Sequence, residues 1–548
     1  MYCPMKPRAG RRPARLASLL VVPPLGGRLW RRRELAGFRL KAELPAARFA
    51  AVALLALFLG VSLTCLPPKL TAAETHSSLV IVIDGLRPDY ITQELMPNLL
   101  ALGESGVVAD AHHSVFPTVT RVNSPSIATG SYPGTHGLMH NTIYLPEVSS
   151  NPIDTADGDA LLAAEMATGG RLLNAVSIGE LLDQAGKKLL VTSSGTTGAA
   201  YLLNHKFTGG GLLNSRDFIR PFALRTRVRE ILGPFPPQAL PNAASHHWAV
   251  EAYLEIGLKE IHPDVTLMWL NDPDGTAHKF GVGAPETKEC LRLVDAEVGR
   301  LLAALTERGI RDQVNILVTA DHGFSTQGGK FNLTTLLAQN GLGDGVLVVG
   351  GQQIYVKAGG DDKIRQIVHV LQSTDWVGGI FTRPSEPGSR NGFVPGTLSF
   401  EAIHYQHPRA ADILVDAAWS EAVNKFGYAG ATTLGGVAGH GTGSPFDIHI
   451  RLIAAGPDFK RGVKSHLPSG NIDIAPTLCR LNGITPPSSM AGRVLTELLR
   501  DGPTPESVKV TREIRRASTK LANGGYEMEL HEARVGTTEY VDFVQAHR

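Results

Sequence analysis

Five short runs of Val, Ile and Leu, each ending abruptly in polar residues, restrict what this chain can fold into. They are SLVIVIDG (78–85), KKLLVTSS (187–194), DVTLMWLNDPD (264–274), VNILVTADHG (314–323) and DIHIRLIAAG (447–456). A strand made from so continuous an apolar run is buried on both faces. Helix-like stretches lie between most of them, among them Met96 to Gly103, Ser177 to Gly186 and Pro285 to Arg308. Apolar strands alternating with helices predict an α/β fold, with a mostly parallel central sheet sandwiched by helices. Ligands of such sheets gather at the carboxyl ends of the strands. The polar residues closing these runs are Asp84, Asp274, and Asp321 with His322. That edge is where a metal or phosphate site belongs.

Two regions break the rhythm. Residues 200–245 are rich in Gly and Pro and read as loop or cap. Residues 345–430 hold β-like segments, GVLVVGGQQIYVKA and GGIFTRP, and read as a smaller inserted α+β subdomain beside the site. After residue 500, YEMELHEA and TEYVDFV alternate in the manner of a terminal hairpin.

The amino-terminal part is different in kind. Residues 49–65, FAAVALLALFLGVSLTC, carry no charge, follow a basic stretch with Arg31-Arg32-Arg33, and precede small residues ending in Ala73. Basic, apolar and small residues in that order make a secretory signal. The expectation is therefore a leader over 1–74 and a catalytic domain over 75–548, exported to the periplasm or the exterior. A single uncut membrane anchor is the alternative, and the only membrane contact expected. The formal charge of +2 gives no pull toward nucleic acid, and the excess sits mostly before residue 48. Cys3 and Cys65 fall in the leader; Cys290 and Cys479 stay in the domain. Export would permit a disulfide between the last two, and two unrelated buried thiols are the alternative.

Several residues could carry chemistry. Thr120 sits where an extended stretch enters a helix, with Pro125 tolerable in the first turn. A hydroxyl there can face an anion held by free backbone N–H groups; as a plain N-cap it would do nothing more. In NDPDGTAHKFG, Asp274 and His278 are four apart, on one face if the segment is helical. One oxygen and one nitrogen ligand suit zinc. His440 lies in the Gly-rich stretch AGHGTGSPFD, but with 19 histidines in the chain a lone one is more often no ligand.

Taken together and in order, Asp84, Thr120, Asp274 with His278, Asp321 with His322, and His440 resemble the bimetal set of the alkaline phosphatase superfamily. IVIDGLRPDY, YPGTHGLMHN and IAAGPDFKRG look most like its type I phosphodiesterase/nucleotide pyrophosphatase family. The resemblance implies two divalent metal ions, zinc being the expected one. One would be held by Asp84, Thr120, Asp321 and His322, the other by Asp274, His278 and His440. It further implies a nucleophilic Thr120, a phospho-threonine intermediate, and Asn141 donating to a phosphate oxygen. The partner is a small phosphorylated substrate, a nucleotide or another phosphoester.

The sequence departs from that family at one position. Nucleotide-cleaving relatives carry an aromatic residue after the nucleophile, where this chain has Arg121. Arg121 could bind a second phosphate or a carboxylate of the substrate, or simply face solvent. A phosphomonoesterase, which needs extra cationic groups, and a phosphonoacetate hydrolase-like enzyme stay open beside the diesterase reading. A sulfatase does not fit, since Ser124-Pro125-Ser126 lacks that class's nucleophile motif. A secreted binding protein that has lost catalysis would be expected to lack ligands.

Overall fold

The computed structural model describes residues 76–522 and 524–548. The leader at 1–74, with Cys3, Cys65 and the cleavage expected near Ala73, lies outside the described residues. Among the described residues, no helix is long and apolar enough to cross a membrane.

The five apolar runs all become strands of one ten-stranded sheet. Its members are β1 (Ser77–Ile83), β2 (Val107–His113), β3 (Leu189–Ser193), β4 (Gly211–Asn214), β5 (Phe218–Arg220), β6 (Val265–Leu270), β7 (Val314–Thr319), β8 (His449–Ala455), β9 (Val463–Ser465) and β10 (Ser469–Gly470). The spatial order is β9-β2-β8-β7-β1-β6-β3-β4-β5, with β10 also on β2. β1 pairs in parallel with both β6 and β7, and β3 with β6 and β4. β8 runs antiparallel to both β7 and β2, so the chain enters β8 at the edge where β1, β6 and β7 end.

The helices used below are α1 (Pro97–Ser105), α2 (Thr120–Thr129), α3 (Ile178–Gln184), α4 (Asp274–Phe280), α5 (Pro285–Glu307), α6 (Gly360–Gln372) and α7 (Ile474–Leu481). Strand pleating sorts β1 between two layers. Val80 and Val82 pack with Ile127 of α2, Ile178 of α3 and Leu478 of α7. Leu79, Ile81 and Ile83 pack with Leu99 of α1 and Leu291 and Val294 of α5. The helix starts follow local chemistry: Ser177 caps α3, and Glu180 completes a capping box by bonding back to the Ser177 backbone. Cys290 lies in one layer and Cys479 in the other, both as buried free thiols.

Three expectations need correction. Residues 200–245 are not a cap, because β4 and β5 extend the central sheet and a helix spans Leu224–Leu232. Pro125 lies in the second turn of α2, not the first. The carboxyl-terminal element is not a hairpin but a three-stranded antiparallel sheet, β11 (Val510–Leu521), β12 (Gly524–Val535) and β13 (Thr538–His547). β11, VTREIRRASTKL, was hidden by its charge, which is what an exposed edge strand carries.

Within 345–430, strands Val346–Val349, Gln353–Val356, Val377–Thr382, Leu398–Ser399 and Ile413–Ala417 form a second sheet, beside which α6 packs. Its core is separate, built on Ile367, Leu371, Ile380 and Val415.

Leu317 of β7 is fully buried in the middle of the central sheet. Leu317→Ala is expected to lower unfolding free energy by about 2–5 kcal/mol. Chemical denaturation measures this, and an unchanged midpoint would contradict the layer assignment.

Candidate active site

The carboxyl edge of the central sheet collects the residues singled out above. Asp84 follows β1 directly, Asp274 opens α4 after β6, and Asp321 and His322 follow β7. Gly85 makes the turn possible: it takes φ +74°, and a Cβ there would stand 3.0 Å from Phe324 and 3.2 Å from Asp274. Its N–H donates to Asp321 Oδ1 at 3.1 Å. Thr120 is the first residue of α2, and its side chain makes no capping bond; Oγ1 instead stands 3.3 Å from His322 Nε2. His440 arrives from the loop before β8 because that strand is antiparallel.

The three histidines share one wiring. His278 Nδ1 lies 2.9 Å from the Ala438 carbonyl, His322 Nδ1 2.9 Å from the Gly323 carbonyl, and His440 Nδ1 2.7 Å from the Thr118 carbonyl. A carbonyl only accepts, so each Nδ1 carries a proton and Nε2 is the ring atom turned toward the site. Those Nε2 atoms point at carboxylates. His278 and His440 Nε2 lie 3.1 and 3.3 Å from Asp274 Oδ1. His322 Nε2 lies 3.1 Å from Asp321 Oδ2 and 3.5 Å from Asp84 Oδ1.

The carboxylates are wired to match. Asp84 Oδ2 accepts from Trp269 Nε1 at 2.9 Å and Asp321 Oδ1 from Gly85, while Asp84 Oδ1, Asp321 Oδ2 and Asp274 Oδ1 are buried without a hydrogen-bond partner. A buried acceptor with no donor is costly. Imidazole Nε2 atoms gathered with unpaired carboxylate oxygens are the donor set a cation completes. The geometry yields two overlapping candidate metal groups, Asp84–Asp321–His322 and Asp274–His322–His440.

The electrostatics report the same strain. Burial pushes the Asp84 carboxyl well above its usual range, and the Asp321 and Asp274 charges add to it. Burial and Asp274 raise Asp321 to about 7. Burial also opposes ionisation of Asp274, yet His278 and His440 hold it well below the ordinary value. Against its own burial, His278 is lifted to about 9 by Asp274. His440 falls to about 4 through burial and the neighbouring His322, on which it stacks at 3.4 Å.

Asn141 and Arg121 meet through the backbone. The Asn141 Oδ1 accepts the Arg121 N–H at 3.0 Å, which leaves the amide NH2 to face outward. The Arg121 Nε is buried without a partner. Above these groups opens a cleft of about 540 Å³, lined by Asn141, His278 and His440 on one side. Val348, Gly351 and Gln352 line the other, so the second sheet contributes a wall of the cleft. Sequence reasoning missed Trp269, whose indole closes the core yet reaches Asp84; only its place one residue before the end of β6 hinted at it. It also missed His140, buried with Nε2 3.1 Å from Gln352 Oε1.

Sheet and site together define a member of the alkaline phosphatase superfamily. Residues 78–425 match the type I phosphodiesterase/nucleotide pyrophosphatase family, and the chain belongs to it. It is 25% identical over 436 residues to bis(5'-adenosyl)-triphosphatase ENPP4 of Bos taurus, covering 78% of this chain and 81% of that one. It is 23% identical over 464 residues to ectonucleotide pyrophosphatase/phosphodiesterase family member 7 of Rattus norvegicus, covering 82% and 94%. Venom phosphodiesterase 2 of Crotalus adamanteus is 26% identical over 255 residues, 46% of this chain but only 27% of that protein, so the chain spans about a quarter of that relative. Among solved structures, murine ectonucleotide pyrophosphatase/phosphodiesterase 5, an inactive form in complex with AMP, shares the fold with a TM-score of 0.56 at 18% identity. That match covers 77% of this chain and all of the other.

Trp269→Phe removes the indole donor to Asp84 Oδ2 while keeping a ring in place. Loss of such a supporting bond is expected to weaken divalent metal retention by about 10–100-fold. Competition against a chelator reads this, and unaltered retention would show that the indole serves packing alone.

Proposed function

We propose that this chain hydrolyses phosphodiester or pyrophosphate bonds of a small phosphorylated substrate through a phospho-threonine intermediate. One observation carries the reading. The Thr120 hydroxyl stands 3.3 Å from His322 Nε2, beside carboxylate oxygens that are buried and unpaired. Asp84, Thr120, Asp321 and His322 would hold one divalent cation, and Asp274, His278 and His440 a second. The mixture of imidazole and carboxylate donors favours zinc. Such a pair, when bound, supplies positive charge that acidifies the threonine hydroxyl and stabilises the departing oxygen.

The remaining work belongs to the chain. α2 fixes Thr120 Oγ1 at its first turn, where the helix start attracts an anion. The hydroxyl gives up its proton to solvent, Oγ1 bonds to phosphorus, and the ester or anhydride oxygen leaves with the bonding pair and takes a proton from solvent if it needs one. Water then attacks phosphorus, its oxygen staying on the released phosphate, while the P–Oγ1 bond breaks and Oγ1 regains a proton. The Asn141 amide, fixed by the Arg121 N–H, donates to a non-bridging oxygen as a donor set in place beforehand.

A monoesterase reading is favoured by a separate observation. Arg121 keeps an unpartnered, buried Nε one residue after the nucleophile. Burial pulls its basicity down, and the Asp84, Asp154, Asp274 and Asp321 charges oppose that loss. Arg216 is close enough to be lowered by burial and by the Arg121 charge. Two guanidinium groups suit the additional negative charge that a monoester carries on its phosphoryl group.

Thr120→Ala is expected to abolish release of p-nitrophenol from bis-p-nitrophenyl phosphate while metal content stays at the wild-type level. Asn141→Ala should lower kcat by about 10²–10³-fold. Turnover undiminished in Thr120→Ala would remove the threonine from the mechanism. The ratio of bis- to mono-p-nitrophenyl phosphate turnover decides between the two readings, and Arg121→Ala should depress the monoester more.

A further inference from the structure

A third group of metal-type donors lies outside the cleft, where the central sheet meets the carboxyl-terminal sheet. His113 ends β2 and His449 begins β8, and the antiparallel register sets them directly opposite one another. Their rings meet edge to face at 5.4 Å, which places both on one side of the sheet. Asp542 of β13 closes the group. Its Oδ1 lies 3.2 Å from His113 Nε2 and 2.7 Å from His449 Nε2.

The proton inventory is what makes this arrangement informative. His113 Nδ1 lies 2.8 Å from the Ser469 carbonyl, so it carries the hydrogen. Without a second proton the ring aims its Nε2 lone pair at a carboxylate oxygen that can only accept. Two acceptors at 3.2 Å repel unless a cation or a second proton stands between them. The same wiring, a ring fixed at Nδ1 by a backbone carbonyl and facing a carboxylate with Nε2, holds for His278, His322 and His440. The supporting hydrogen bond from the far ring nitrogen is the usual companion of a metal-ligating histidine. Ligands about 2.0–2.2 Å from zinc stand about 3.3–3.6 Å apart in a tetrahedron; the 3.2 Å separation from His113 is close to that, and the 2.7 Å one from His449 opens as the ion enters on the exposed side.

Burial is graded across the group. The His113 side chain is 5% exposed and stacks on Tyr540, whereas His449 and Asp542 keep 41% and 30% of theirs open. The buried side fixes the ligands and the open side leaves room for water to complete the coordination.

We propose that His113, His449 and Asp542 form a third zinc-type site, which fastens β13 of the carboxyl-terminal sheet to the β2–β8 edge of the central sheet. Two imidazoles and one carboxylate favour zinc over calcium or magnesium. The site does not depend on the reading of the cleft, because none of its three residues lines it.

The test compares wild type with His449→Ala and Asp542→Asn, each stripped with chelator and reloaded with zinc alone. Elemental analysis is expected to find about one zinc ion fewer per chain in each variant, with turnover of bis-p-nitrophenyl phosphate retained. Added zinc should raise the Tm of stripped wild type further than that of either variant. His449 is exposed and Asn is isosteric with Asp, so the two variants guard against a folding defect in either. Equal zinc content in all three proteins would overturn the proposal. So would a Tm loss on substitution that is the same with and without zinc, since the group would then be an ion pair held by a second proton.

Discussion

Negative charge held out of water at one edge of a sheet governs this structure. Asp84, Asp274 and Asp321 are brought together by strand ends, and each keeps one oxygen without a hydrogen-bond donor. An isolated carboxylate in such surroundings would ordinarily take up a proton. Here the neighbours work against that relief: Trp269 and Gly85 each donate to the opposite oxygen of a carboxylate, and three histidines fixed at Nδ1 by backbone carbonyls turn Nε2 inward. The fold thus prepares a cavity that only a positive charge completes, and the layered packing of β1 between helices supplies the rigidity needed to hold it.

Much of this was legible from residue order. The apolar runs gave the starts of the strands to within a residue or two, because a strand buried on both faces leaves no polar interruption. Asp84, Asp274 and Asp321 stood out because a polar residue after such a run sits at a sheet edge. The Asp274–His278 spacing was readable as one helix face, and α4 is that helix. Other features depended on contacts between distant segments. Nothing in the sequence around His440 says that the strand after it runs antiparallel. Trp269 looked like core because most of its surface is core; its one polar atom carries the supporting role. β11 was unreadable because its charges obscure the period-two pattern. The Cys290–Cys479 question was likewise tertiary, settled by the two thiols lying in different layers.

The insert at 345–430 illustrates how a shared scaffold acquires its own cleft. Its sheet has an independent core, yet the loop around Gly351 faces Asn141 and the histidines. The edge of the central sheet supplies the chemistry, while an added module shapes what can approach it. Function residing in sites grafted on a common fold is the general pattern.

The pairing of β2 has a consequence for how the protein comes into being. All of its partners, β8, β9 and β10, come from residues 449–470. The strand that leads to Thr120 is therefore made early and left without a ladder until most of the chain has left the ribosome. Closing such a span is slow, and it delays the placing of Thr120 until the chain is nearly complete. A nascent or truncated chain lacking the last strands of the central sheet carries Thr120 but not the frame that aims it, so the order of synthesis leaves the site to be assembled last.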